Sequence, residues 1–160
     1  MRHNKVCNVI YQNIIDKDST KKRQPIQTYC ANNEIEVWWD TKVKTLTKCP
    51  HDKPDIVLWN ITEKKCHVID ICICLDVNIE KNIKLKKDNY LQLIAELKRL
   101  YDEYTFEIVP IVLGATGLVT SHLSDALKRI GVKNIPEVTK QCQKGALLGT
   151  LKIVKSFMKM

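Results

Sequence analysis

Two aspartates, fifteen positions apart in the chain, each lie in or beside a short apolar run. Asp55 precedes the run 56–59 (IVLW), and Asp70 lies inside the run 68–73 (VIDICI). A carboxylate inside an aliphatic strand is costly to bury unless a metal ion, a base or several hydrogen-bond donors compensate it. If the two runs are neighbouring strands, both carboxylates can converge on one cation, as metal-assisted phosphodiester cleavage requires. The structural alternative is that Asp55 caps a turn after Pro54 and Asp70 pairs with a buried lysine.

The sequence around these aspartates predicts a β-hairpin. Residues 55–60 and 66–75 have the composition of strands, and the polar residues 62–65 between them are typical of a turn. The second strand is apolar on both faces, which favours a central position in a sheet covered on two sides. We predict the remaining elements from apolar spacing and from glycine and proline signals: helices over 4–15, 78–104, 121–130 and 137–155, strands over 35–39 and 106–113, a loop over 16–25 and an irregular segment over 40–53.

The predicted helix 78–104 is the longest element and begins with a strongly basic half. Its inward stripe comprises Ile79, Ile83, Tyr90, Leu93, Ile94, Leu97 and Tyr101. Its basic residues are Lys81, Lys84, Lys86 and Lys87. This lysine run is either a solvated helix face or a set of phosphate contacts beside the two acids. The order of helices and strands is typical of an α/β or an α+β protein. We expect the α/β class, with a mixed sheet that has a central hairpin and flanking helices.

Length and composition fit a single domain over residues 1–160, with 44% hydrophobic and 28% charged residues. The net charge of +8 favours a polyanionic partner. No apolar run reaches the length of a membrane span, and no signal peptide is recognisable, so we expect no membrane partner and an intracellular location. The seven cysteines and four histidines do not form the paired spacing of a zinc site, so free thiols are expected.

The segment 112–119 (VLGATGLV) has the appearance of a dinucleotide-binding loop. That loop needs a third glycine three positions after Gly117, where this chain has Thr120. We therefore interpret the segment as a glycine turn between a strand and a helix.

Several segments, in order and with similar spacing, resemble one family. They are 2–6 (RHNKV), 51–60 (HDKPDIVLWN), 65–73 (KCHVIDICI), 76–78 (DVN), 107–117 (EIVPIVLGATG) and 143–150 (QKGALLGT). They resemble the C-terminal restriction-like endonuclease region of non-LTR retrotransposon polyproteins, a branch of the PD-(D/E)xK nucleases. The resemblance covers nearly the whole chain. It implies a restriction-endonuclease-like core and an upstream reverse transcriptase and zinc knuckle in the parent polyprotein.

The resemblance also implies a function and a set of site residues. The family nicks one DNA strand, and the exposed 3′ hydroxyl then primes reverse transcription. Asp55 and Asp70 match the two metal-binding acids, with the backbone carbonyl of Ile71 as a further ligand for Mg²⁺. The expected partners are DNA and the element's RNA, and the expected location is the nucleus. Candidate phosphate contacts are Lys53, Lys81, Lys84 and Lys87.

The catalytic lysine is where this chain departs from the family. In the family that lysine comes from the helix after the hairpin, just before a tyrosine, and here Asn89 precedes Tyr90. Lys86 lies one helical turn before Tyr90 on the same face, so we expect it to substitute. Two alternatives stay open: a catalytically degenerate DNA-binding remnant of the same fold, and a non-catalytic structural or protein-interaction module.

Overall fold

The computed structural model describes residues 2–15 and 29–160. The predicted loop 16–25 lies outside the described residues. The helices are α1 (Arg2–Ile15), α2 (Ile79–Asn89), α3 (Leu91–Leu100), α4 (Ser121–Arg129) and α5 (Ile135–Met158). The strands are β1 (Tyr29–Ala31), β2 (Ile35–Trp39), β3 (Ile56–Asn60), β4 (Lys65–Cys74) and β5 (Thr105–Gly114), and a 3₁₀ turn covers Asp76–Asn78.

The described strands form one five-stranded sheet in the order β1-β2-β3-β4-β5, flanked by helices. The pairs β1–β2, β2–β3 and β3–β4 are antiparallel. β5 runs parallel to β4, because Thr105 N donates to Lys64 O at one end and Ala115 N donates to Cys74 O at the other. The chain is therefore a mixed α/β protein with the predicted β3–β4 hairpin inside the sheet. β5 is an edge strand among the described residues, a position in which Pro110 is tolerated.

The chain divides into two compact units, and β4, α2 and β5 each contribute residues to both. In one unit, α5 packs against α1 through small residues. A Cβ added at Gly149 would lie 2.6 Å from Arg2 Cα, and one added at Gly145 would lie 3.5 Å from Lys5 Cβ. The absence of a side chain at Gly149 is therefore what allows α1 to approach α5 so closely. The prediction of one domain over 1–160 stays a prediction.

The core of the other unit surrounds Trp59 of β3. The centroid of the Trp59 ring lies 4.9 to 5.7 Å from the centroids of four other aromatic rings, which belong to Trp38, Tyr101, Tyr104 and Phe106. Such tilted and edge-to-face pairs add to the free energy gained from burial alone. Residues of β3, β4 and α3 complete this core; they include Val57, Cys66, Val68, Leu93, Ile94 and Leu97.

Most predicted elements are present, but the helix over 78–104 is wrong as a single element. It is divided at Tyr90, whose φ of −100° and ψ of 3° separate α2 from α3. Asp88 and Asn89, which precede the break, have low helix propensity because their side chains compete for backbone hydrogen bonds. Tyr101 lies beyond the end of α3 and is 39% exposed, although its ring still packs against Trp59. The longest described helix is α5, with 24 residues.

Candidate metal centre

The strand register places the two aspartates opposite each other. Ile56 of β3 pairs with Ile69 of β4, and the same register continued by one residue pairs Asp55 with Asp70. Directly opposed residues on antiparallel strands have Cβ atoms about 4.5–5.5 Å apart and present their side chains on the same face. Asp70 is only 4% exposed, and Asp55 is partly buried. The sequence-based expectation that neighbouring strands bring these acids together therefore describes the observed geometry.

The surroundings of Asp70 disfavour its charged form. Burial is the largest cause that raises the pKa of Asp70, and the negative charge of Asp55 raises the pKa further. Lys86 acts in the opposite direction through its positive charge and its hydrogen bond. The centre therefore contains two acids in mutual repulsion, which a cation placed between them would relieve.

Helix α2 and Tyr90, the residue that follows it, bring two polar groups to the Asp70 carboxylate. Lys86 Nζ lies 2.6 Å from Asp70 Oδ2, with its side chain 25% exposed. Tyr90 Oη donates a hydrogen bond of 3.1 Å to Asp70 Oδ1. The sequence predicted that Lys86 and Tyr90 share one helix face; Tyr90 instead lies at the break after α2, but both side chains reach Asp70. One oxygen of the buried carboxylate thus accepts a hydrogen bond, and the other forms an ion pair.

Tyr90 is held in its neutral form. Burial is the first cause that raises its pKa, followed by the nearby charges of Asp70, Asp55 and Asp52. The phenol therefore stays a hydrogen-bond donor across the physiological pH range. Asp52, which forms an ion pair with Lys42 at 3.5 Å, is an acid near the centre that sequence reasoning missed. Its position three residues before Asp55, in a segment predicted to be irregular, was the only available signal.

The donor set suits a hard divalent cation. Two facing carboxylates supply the oxygen ligands that Mg²⁺ prefers, and Mg²⁺ keeps several further positions for water and phosphate. Ile71 is the next residue of β4 and belongs to the other compact unit, so the role of its carbonyl stays a prediction. Asp55 and Asp70 are the residues of this unit that would hold the ion.

The other lysines expected to contact nucleic acid lie at the surface. Lys81, Lys84 and Lys87 of α2 are exposed, in contrast to the half-buried Lys86. Lys53 is also exposed and forms an ion pair with Asp40, with 3.3 Å between Nζ and Oδ1. Exposed ion pairs contribute little free energy, so this contact leaves Lys53 accessible to a phosphate.

Aromatic and histidine side chains near the centre have mainly structural contacts. Trp38 packs on Trp59 with ring centroids 5.3 Å apart, and its Nε1 donates a hydrogen bond to Glu36 Oε1. His67 is buried, and its Nε2 lies 3.6 Å from Glu107 Oε2. His51 is exposed, and its ring lies edge-on to Tyr90 at 6.1 Å.

Sequence reasoning also missed two structural acids. Glu96 of α3 is buried and accepts a hydrogen bond from Thr47 N, which fixes the irregular segment before β3. Hydrogen bonding to Thr47 is the first cause that lowers the pKa of Glu96. Asp76 accepts a 2.6 Å hydrogen bond from Thr116 Oγ1. The carboxylate of Asp76 fills the space above Gly114 that a larger residue there would occupy.

Two further expectations are confirmed. All seven cysteines are free thiols. The segment 112–119 is the end of β5 followed by a turn, with Gly117 at a φ of 87°, a backbone conformation that favours glycine. Helix α4 begins only at Ser121, so the glycines do not lie at a helix N-terminus as a dinucleotide-binding loop requires.

Comparison with protein-family models gives no match, and comparison with curated proteins gives none either. Among the described residues, every helix is too short or too polar to cross a lipid bilayer.

Proposed function

We propose that this protein is a metal-dependent DNA endonuclease with a restriction-endonuclease-like core, derived from a retrotransposon polyprotein. The observation that carries the proposal is the juxtaposition of Asp55, Asp70 and Lys86 at one end of the β3–β4 hairpin. Two facing acids and a lysine from the next helix are the groups that this class of nuclease needs. The segments that resemble the retrotransposon endonucleases support the assignment to that family.

Each residue has a chemical task in this proposal. Asp55 and Asp70 hold Mg²⁺, which when bound polarises a phosphoryl oxygen and lowers the pKa of a bound water. Lys86 is held beside the carboxylates by its contact with Asp70 and carries a positive charge to the phosphate. A preorganised cation at the position where negative charge develops stabilises mainly the transition state. Tyr90 orients Asp70 through its hydrogen bond and takes no part in the chemistry.

The exposed lysines of α2 provide the DNA contact in this proposal. Lys84 and Lys87 lie on the same helix as Lys86, so a strand contacting them would pass close to the metal centre. Each phosphate neutralised by a lysine adds about −0.9 to the slope of log K against log salt concentration. Lys84→Ala should therefore reduce this slope by about one unit.

A plasmid assay tests catalysis. We expect the protein to convert supercoiled plasmid to the nicked circle with Mg²⁺ and not with a chelator. Asp55→Asn, Asp70→Asn and Lys86→Met should each lower the rate at least about a hundredfold, since each removes a group acting at the reacting phosphate. The matched controls are Asp125→Asn on α4 and Lys98→Met on α3, both exposed. The proposal fails if the wild type does not nick DNA, or if Asp70→Asn nicks it at the same rate.

A specific observation favours a second candidate, a non-catalytic module in which Asp70 is a structural acid. Asp70 already has two protein partners, Lys86 in an ion pair at Oδ2 and Tyr90 as a hydrogen-bond donor to Oδ1. In this case, the protein neither nicks DNA nor binds it, and Asp70→Asn changes only the free energy of unfolding. DNA binding that weakens with salt, without any nicking, instead selects the degenerate remnant of the same fold.

A further inference from the structure

Helix α5 has two opposite apolar faces. One face contains the buried residues Val138, Cys142, Gly145, Ala146 and Gly149, part of which packs against α1. The other face carries four large apolar side chains, which we call the outer stripe: Leu147, Leu151, Val154 and Met158 are 42%, 45%, 47% and 80% exposed. All four are therefore exposed rather than buried in the part of the chain that the structure describes.

The spacing of the outer stripe is that of a coiled-coil seam. Its members are separated by four, three and four residues, which is the alternation of d and a positions in a heptad. The stripe extends about 17 Å along the helix, at 1.5 Å per residue. Such a seam normally packs into the side chains of a facing helix. The stripe has the length and periodicity to contact three turns of another helix.

A shallow groove lies beside the stripe and supplies the flanking contacts. It has a volume of about 430 Å³ and is lined by Leu148, Leu151, Lys152, Lys155, Ser156 and Lys159. The groove is therefore lined by leucines on the side of the outer stripe and by lysines on the side away from it. Side chains from a facing helix would meet lysines on this side.

The charge of α5 decides which kind of helix fits. Its only acid is Glu137 in the first turn, and residues 138–160 contain five lysines and neither aspartate nor glutamate. A second copy of this chain would bring the same positive charge to the seam, and like charges flanking a helix pair oppose association. An acidic helix would instead place carboxylates beside Lys152, Lys155 and Lys159. Charge complementarity thus favours a partner other than the chain itself.

We infer that the outer stripe of α5 binds an amphipathic helix of another protein, whose apolar seam is flanked by aspartates and glutamates. The stripe provides the apolar contact. The lysines favour an acidic partner over a basic one and increase the rate of association. The inference is independent of the metal centre, and its test needs no nuclease activity.

A designed peptide probes this surface. The probe is a fluorescein-labelled helix of three heptads with leucine at a and d and glutamate at e and g, titrated with the full chain by fluorescence anisotropy. Its control is the same peptide with lysine at e and g. We expect the glutamate peptide to bind at least about tenfold more tightly, with an affinity that falls as salt rises.

Variants of the protein localise the binding. Leu151→Ser should weaken binding of the glutamate peptide about tenfold or more, because it removes a central apolar contact. Leu85→Ser is the matched control, since Leu85 is a leucine of α2 with a similar exposure of 47%. Both variants should retain the wild-type circular dichroism and melting temperature, because both side chains are exposed.

Three results would overturn the inference. The first is a glutamate peptide that does not bind, or that binds Leu151→Ser and wild type equally. The second is a dimer in sedimentation velocity that disappears in Leu151→Ser, which would make a second copy the occupant. The third is binding to vesicles containing phosphatidylserine without any binding of the peptide, which would make the stripe a membrane contact.

Discussion

Replacing Asp55 with asparagine should make the metal-free protein more stable. Asp55 and Asp70 are opposed across the hairpin, and their repulsion contributes to the raised pKa of the buried Asp70. Two charges about 5 Å apart interact by about 3 kcal/mol at an effective dielectric constant of about 20. Asp55 is partly exposed and Lys86 neutralises part of the field, so we expect a gain of about 1–2 kcal/mol in the free energy of unfolding.

The free energy of unfolding gained by Asp55→Asn should depend on pH in one direction. Burial and Asp55 raise the pKa of Asp70 above its unfolded value of about 3.9. Between these two pKa values the folded protein binds more protons than the unfolded chain, so the free energy of unfolding falls as pH rises. Below pH of about 4 the repulsion is absent in the wild type as well. The advantage of Asp55→Asn should therefore be largest at neutral pH and vanish toward pH 4.

Mg²⁺ should instead stabilise the wild type more than it stabilises Asp55→Asn. A ligand that binds only the folded state stabilises it by about 2.7 kcal/mol at a hundred times its dissociation constant. The wild type should gain this free energy, while Asp55→Asn lacks one of the two ligands and should gain much less. The order of stability between wild type and variant should therefore reverse when Mg²⁺ replaces the chelator.

Urea denaturation followed by tryptophan fluorescence measures these effects. All three tryptophans lie in the same compact unit as the two acids, so their emission reports on this part of the fold. Asp125→Asn is the control for loss of an exposed carboxylate. The reasoning is refuted if Asp55→Asn is less stable than wild type at neutral pH with chelator. It is also refuted if the gain is equal at pH 4 and pH 7.

The remaining predictions concern the free energy of unfolding. Tyr90→Phe should lose about 1–2 kcal/mol in urea denaturation, since it removes the donor to Asp70, and an unchanged midpoint would contradict this. Gly149→Ala should lose about 1–3 kcal/mol in thermal denaturation, because a Cβ would lie 2.6 Å from a Cα of α1; Gly145→Ala, with 3.5 Å of space, should lose less. Trp59→Ala should lose about 3–5 kcal/mol in urea denaturation, because its ring contacts four others, and a loss below 1 kcal/mol would show that the cluster repacks.

The hairpin was predictable because its signals are local. Alternation of side chains, a polar turn and Pro54 before Asp55 are all contained within about twenty residues, and Lys64 adopts the positive φ of 56° typical of a tight turn. The register that opposes Asp55 and Asp70 follows once the turn length is fixed. The pairing of the acids is thus a consequence of sequence features that can be read without the fold.

The break between α2 and α3 was not predictable in the same way. The apolar spacing from Ile79 to Leu97 continues across Tyr90 without interruption, and periodicity alone therefore favours one helix. The hydroxyl of Tyr90 bonds to Asp70, twenty residues earlier, and this contact depends on the tertiary structure. β1 was missed for a related reason. Its three residues alternate between exposed and partly buried, which leaves no apolar pattern to detect.

The charge balance of the centre distinguishes the two interpretations of Asp70. A structural acid needs one compensating cation, and Lys86 at 2.6 Å supplies it. That interpretation does not require a second acid opposite the first, and Asp55 only raises the pKa of Asp70 further. Two carboxylates and one ammonium leave a net charge of about −1. A divalent ion converts this to about +1, which attracts a phosphate. The metal-binding interpretation therefore gives the juxtaposition of the two acids and the lysine one common role, whereas the structural interpretation gives each acid a separate role, Asp55 in the turn after Pro54 and Asp70 in its pair with Lys86.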